Sequence, residues 1–224
     1  MKKILALILA SMMLLTLVAC GNTNEEVTTA EKENVTTEAK AEETTEAAPS
    51  KEEIAANASV EAIANALIAK YAEFTGVKDM YDEYMAEMSE EDQIPYEEFL
   101  SYQLSVAPVE VGSEWLSGFD ATPAGYSEAY CYQPMMMGQA FIGYIFRVAE
   151  GTDVEAFKTS LVENCNPRWN ICTMANTTVC ENYGNLVYFS MMVVADEENP
   201  FGFTAEQKDG FYSTFVETIE SSAK

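Results

Sequence analysis

The strongest constraint on this chain is a break in composition near residue 53. From Gly21 to Glu53 it is built mainly of Thr, Glu and Ala, with no aromatic residue and only Val27 and Val35 as β-branched hydrophobes. Such a segment cannot bury enough apolar surface to offset its conformational entropy, and its glutamates repel one another. It reads as an extended tether. Any hydrophobic core must therefore come from residues 54–224, which is the size of one domain. Two lobes and a hinge, as in a solute-binding protein, are hard to build from that length.

Ahead of the tether lies a leader. Lys2 and Lys3 precede an apolar run from Ile4 to Ala19, interrupted only by Ser11 and Thr16. This is the layout of a secretory signal over residues 1–19, too short for the roughly 20 residues of a membrane-spanning helix. The run ends in Leu17-Val18-Ala19-Cys20-Gly21. That ending resembles the lipobox of bacterial lipoproteins, which implies cleavage before Cys20, diacylation of its sulfur with palmitate-type chains, and a tether spanning residues 20–53. Two or more acyl chains anchor stably, because each buried methylene contributes about 0.8 kcal/mol. The expected location is the extracytoplasmic face of the cell membrane.

Beyond residue 54 the apolar spacing becomes helical. Val60, Ile63, Ala64, Leu67, Ile68, Tyr71 and Phe74 recur at three- and four-residue steps, with Ser59 as N-cap and Gly76 as stop. A second stretch carries Met80, Tyr84 and Met88 on one face, and Pro95 opens a short helix over Tyr96 to Leu104. Residues 54–105 thus form a helical subregion, and 106–224 a sheet-containing core. Val106 to Pro123 reads as a loop with at most a short strand at Val109–Val111.

Strand patterns follow at Tyr126–Tyr132, where Tyr126, Glu128, Tyr130 and Tyr132 alternate with smaller residues, and at Gln139–Ala149. Thr152 with Glu155 reads as a capping box that opens a helix. Asn176–Glu181 and Leu186–Ala195 form a hairpin around Gly184-Asn185, its second arm apolar throughout. Thr204 with Gln207 caps a closing helix bearing Phe211, Phe215 and Ile219. The order strand-strand-helix-strand-strand-helix predicts an α+β fold: an antiparallel sheet of about four strands with helices packed on one face, preceded by N-terminal helices.

Pro134-Met135-Met136-Met137 sits between a Tyr-rich strand and the run AFIGYIFRV, and a later strand begins Tyr183-Gly184-Asn185-Leu186-Val187. This succession, over about Trp115 to Ile219, resembles a family of uncharacterised lipoproteins from Gram-positive gut-type bacteria, a domain of unknown function with a P-M-M segment and a Gly-Asn hairpin. Leu186 stands where that hairpin usually has Tyr. The resemblance implies no activity and no catalytic residue.

The chain has no histidine, which removes Ser-His-Asp triads, Cys-His pairs and HExxH zinc sites. Neither GxGxxG, a P-loop nor GxSxG occurs, so no catalytic residue, cofactor or metal is assigned. With Cys20 set aside for lipid, Cys131, Cys165, Cys172 and Cys180 remain. An even number outside the cytoplasm permits Cys165–Cys172 and Cys131–Cys180 disulfides; four buried free thiols are the alternative, natural in an anaerobe. Zinc is disfavoured by the spacing. Cu(I) at Met135–Met137 is disfavoured because adjacent strand residues point to opposite faces. No DxDxDG-type loop supports Ca²⁺. Trp115, Tyr126, Tyr130, Tyr132, Trp169 and Tyr183 are candidate aromatics for stacking a polar ligand such as a sugar, with Trp115, Tyr130, Tyr132 and Trp169 foremost; core packing is the competing reading.

Charge narrows the partners. The precursor holds 12 Lys+Arg against 37 Asp+Glu, a net charge of -25. The tether from Gly21 to Glu53 has ten Glu and three Lys, so residues 54–224 keep 27 acids and seven bases, a net of -20. The acidity therefore belongs mostly to the folded body. Nucleic acid is excluded as a partner, and a neutral or cationic envelope ligand or protein is favoured. The expected function is a binding or structural module at the envelope. The alternative is an envelope glycan-active enzyme with paired carboxylates, which requires two carboxyls in a cleft under an aromatic wall, one with a raised pKa. The sequence leaves oligomeric state open.

Overall fold

A computed structural model describes residues 49–135, 140–170 and 172–223, and residues Glu46–Lys224 group into one compact unit. The segments expected to form the signal peptide and nearly all of the tether, with Cys20, lie outside the described residues, as do Met136 and Met137.

The body is an α+β fold around a five-stranded antiparallel sheet of order β1-β2-β3-β5-β4. The strands are β1 (Leu104–Pro108), β2 (Tyr126–Pro134), β3 (Phe141–Val148), β4 (Thr177–Tyr183) and β5 (Leu186–Met192). The helices are α1 (Lys51–Asn57), α2 (Val60–Phe74), α3 (Val77–Glu87), α4 (Tyr96–Gln103), α5 (Val154–Asn164) and α6 (Ala205–Ser221). Ser50 and Glu53 form a capping box on α1, so regular structure begins at Lys51, before the compositional boundary at Ile54. Among the described residues, no helix is long and apolar enough to cross a membrane.

Several expectations need correction. The sheet gains a fifth strand, β1, at Leu104–Pro108 and not at Val109–Val111; it pairs with β2 from Leu104↔Pro134 to Pro108↔Tyr130. The α5 helix is capped by Asp153, whose side chain accepts from the Ala156 N–H, and not by Thr152. Most importantly, both faces of the sheet are covered. On one, α1, α2 and α6 pack over Tyr132, Phe141, Ile145, Leu186, Tyr188 and Met192. On the other, α5 and the loop carrying Leu116 and Phe119 cover Ile142, Tyr144, Phe146, Val187, Phe189 and Met191. This is why β3 and β5 read as apolar runs without alternation: each side chain meets a core on its own side.

A register shift between Tyr126 and Glu128 breaks the alternation expected of β2. The bulge sends Tyr126 and Ala129 to the α5 side, while Tyr130 and Tyr132 face α2. The loop that covers the α5 face approaches the sheet closely. A Cβ on Gly118, at φ +85°, would stand 2.8 Å from Met191 Cε, and Tyr144 fixes the same loop by donating to the Ser117 carbonyl at 2.7 Å.

Candidate functional site

The α3–α4 hairpin stands apart from both main cores. Its own small cluster joins Val77 and Phe99 to Ala72 of α2, with Tyr81, Ile94, Tyr96 and Leu100 around them. Two side chains tie the connection to α3: the Tyr81 hydroxyl donates to the Ile94 carbonyl at 2.8 Å, and Gln93 Nε2 donates to the Met85 carbonyl at 3.1 Å. The rings of Tyr81 and Phe99 meet edge to face, with centroids 5.4 Å apart. These contacts hold α3 and α4 side by side but leave one flank of each without a covering layer.

That flank is an open groove of about 630 Å³, lined by Met80, Glu83, Tyr84, Glu87, Phe99 and Tyr102 among others. Met80 is 50% exposed, Tyr84 46% and Tyr102 59%, so these three large side chains are offered to solvent and not spent on the core. Tyr102 is held in place by its hydroxyl, which donates to Glu98 at 3.0 Å; that hydrogen bond and the carboxylate's charge push the phenol pKa up. Glu83 and Glu87 are both exposed and lie one turn apart on α3. A floor of Met and aromatic rings with an acidic rim suits an amphipathic ligand of neutral or positive charge.

The sequence marked part of this surface. Met80 and Tyr84 share a helical face, and the segment Asp79–Glu98 is rich in acids, but the apolar pattern does not mark Phe99 and Tyr102. Their signal is Glu98 and Tyr102 four residues apart on a short helix.

The proposed stacking aromatics do not assemble. Tyr132 is fully buried and Tyr126 and Tyr183 nearly so; they are core residues. Tyr130 packs at the edge of the α2-side core, whereas Trp169 packs against the opposite one. Trp115 is exposed on the loop before β2. The sheet itself separates Tyr130 and Tyr132, on the α2 side, from Trp169 on the α5 side.

The structure also places the cysteines. Cys131, Cys165, Cys172 and Cys180 are all free thiols. Cys131 and Cys180 do share one row across the sheet, Cys131–Tyr144–Phe189–Cys180. Two strands intervene, so they stand about 14 Å apart at the usual strand spacing, beyond the roughly 7 Å Cα separation that a disulfide spans. Cys165 turns into the seam between α5 and β4, with its sulfur 3.9 Å from Thr178 Oγ1, while Cys172 is exposed. Among the described residues, no three side chains of metal-binding type converge.

Burial pushes the Cys131 and Cys180 thiols up to about 12. The folded state thus favours their neutral forms; this stabilisation is complete below the ordinary thiol value near 8.5 and is lost as pH rises toward about 12. With iodoacetamide at pH 8, Cys172 is expected to be alkylated rapidly in the native protein, and Cys131 and Cys180 only after unfolding. Peptide mass mapping checks this. Protection of Cys172 until a reductant is added would restore the Cys165–Cys172 disulfide.

Comparisons with protein-family models, with curated proteins and with solved structures found no match.

Proposed function

We propose that this chain is an extracytoplasmic lipoprotein, anchored in the cell membrane through acyl chains on Cys20, whose body is a ligand-binding module using the α3–α4 groove. The observation that carries the binding reading is the groove itself: Met80, Tyr84 and Tyr102 are displayed at its surface, whereas most other aromatic side chains of the body are packed inside. The body's net charge of -20 over residues 54–224 supports a neutral or cationic envelope ligand and argues against nucleic acid. The resemblance to uncharacterised lipoproteins agrees with the location and adds no activity. A glycan-cleaving enzyme would need one carboxyl desolvated enough to hold its proton, and both groove carboxylates, Glu83 and Glu87, are exposed.

A thermal-shift screen of the full chain in phosphatidylcholine nanodiscs, against glycans, peptides and metal ions, tests the binding role. A ligand at a hundred times its Kd adds about 2.7 kcal/mol, and this gain is expected to vanish in the doubly substituted Met80→Ala/Tyr84→Ala protein. A gain that survives those substitutions places the site elsewhere. For the anchor, Cys20→Ala is expected to move the protein from the membrane to the soluble fraction; unchanged fractionation rules out lipidation at Cys20.

A further inference from the structure

Three features of the α3–α4 hairpin specify its ligand more narrowly. The apolar lining of the groove includes Met80, Tyr84, Phe99 and Tyr102, a mixture of flexible thioether and aromatic rings that moulds to branched aliphatic or aromatic side chains. Along the α3 side, Glu83 and Glu87 stand at a four-residue interval, which matches the spacing of charges on successive turns of a facing helix. The eleven residues of α3 give the groove wall a length of about 16 Å, or three helical turns. Aromatic faces of this hairpin already accept a cation: Lys78 Nζ lies 5.3 Å from the ring centre of Tyr81 and 5.6 Å from that of Tyr96.

We infer that the groove between α3 and α4 binds a basic amphipathic peptide helix, whose apolar face rests on Met80, Tyr84, Phe99 and Tyr102 while Lys or Arg side chains one turn apart meet Glu83 and Glu87. This rests on the groove being the binding surface. It is the helix-in-groove mode of recognition, in which apolar anchors supply affinity and rim charges set orientation and selectivity. Other occupants are opposed by charge. The chain's own tether carries ten Glu against three Lys and would be repelled by the rim. A second copy would bring the same two glutamates into a self-facing contact and add the repulsion of two bodies at -20 each.

The experiment uses the full chain in phosphatidylcholine nanodiscs, with empty nanodiscs as the blank, and three fluorescent 14-residue peptides. All share one Leu face; their polar faces carry Lys, Ser or Glu. Anisotropy is expected to show the Lys peptide bound most tightly, the Ser peptide about tenfold or more weaker, and the Glu peptide unbound. Glu83→Gln/Glu87→Gln should weaken the Lys peptide about five- to tenfold, with a reduced salt dependence. Tyr84→Ala should weaken both the Lys and the Ser peptide. Both Tyr84 and the two glutamates are exposed, so thermal melts are expected to stay close to the unsubstituted protein's.

The outcomes separate the two levels of the reading. If the Ser peptide binds as tightly as the Lys peptide and both are lost with Tyr84→Ala, the groove stands and the cationic class falls. If binding of the Lys peptide is indifferent to Tyr84→Ala, then attraction is diffuse surface charge, and both the groove and the peptide assignment are overturned.

Discussion

Gly143→Ala is expected to destabilise the body by about 3 kcal/mol or more, at the upper end of what overpacking costs, and to lower Tm by roughly 6–12 °C for a domain of this size. Gly143 sits in the central strand β3, directly opposite Tyr132 of β2. The Tyr132 ring lies across it so closely that an added Cβ would stand 2.1 Å from Cζ and 2.4 Å from the hydroxyl oxygen. The ring cannot retreat cheaply: it is fully buried, with Phe141 5.9 Å away by ring centroid and helix α2 above it. The glycine lets an aromatic ring pack flat on a sheet, and the ring returns the cross-strand contact that glycine lacks. Shortening the partner should relieve the clash, so Tyr132→Leu combined with Gly143→Ala is expected to be more stable than the sum of the two changes predicts, by at least 1 kcal/mol. Tyr132→Phe alone should be neutral or slightly stabilising. Its hydroxyl is beside that of Tyr188 but has no partner at hydrogen-bonding geometry, and an unmet buried hydroxyl contributes nothing by staying. Chemical denaturation of the four proteins decides the matter; a Gly143→Ala protein within 1 kcal/mol of the parent would show that the sheet yields where close packing says it does not.

How far such details can be read from sequence depends on whether their cause is local. The segments that form β3 and β5 are recognisable as strands because burial on both faces leaves an unbroken apolar signature within the segment itself. The capping box of Thr204 and Gln207 is equally local, and it forms as expected. By contrast, β1 consists of Leu104-Ser105-Val106-Ala107-Pro108; nothing in five residues ending in proline declares a strand until β2 is there to pair with it. Which side of the sheet receives α5 is also non-local, since an amphipathic helix states that it has an inward face and not where inward lies. The strand order β2-β3-β5-β4 is what separates Cys131 from Cys180, although both sit on strands as expected. The groove was half visible for a related reason. Met80 and Tyr84 at helical spacing look the same whether another layer covers them or solvent does, and only the fold shows that no described element covers that flank of α3 and α4.

Arg147 offers the second large effect, because it connects three parts of the chain that sequence keeps far apart. Its Nη1 donates to the Ala55 carbonyl at 2.8 Å and its Nη2 to the Ala58 carbonyl at 2.5 Å, while Nε donates to Glu128 at 3.0 Å. The two carbonyls belong to the last turn and cap of α1, where a helix leaves carbonyls short of partners and a positive charge is favoured; among the described residues, that of Ala55 otherwise accepts only from the Ala58 N–H, at 3.3 Å. One guanidinium at the end of β3 thus fastens the first described helix, α1, onto the sheet. Only the rigid fork of arginine serves all three acceptors; lysine, with a single nitrogen, reaches them one or two at a time. The ion pair with Glu128 is partly exposed, with side chains 17% and 43% accessible, and contributes little. Most of the effect should come from the charged hydrogen bonds to the carbonyls, about 2–3 kcal/mol together. Arg147→Met, which keeps the aliphatic stem, is therefore expected to cost about 2 kcal/mol and to abolish slow amide exchange over residues 51–58 before the strands lose theirs. Arg147→Lys should fall between, and Glu128→Gln should change little. Amide exchange in α1 that remains as slow in Arg147→Met as in the parent would mean that the apolar contact of Ala55 with the hairpin turn, whose Gly184 would bring a Cβ within 2.9 Å of Ala55 Cβ, holds the helix without the arginine.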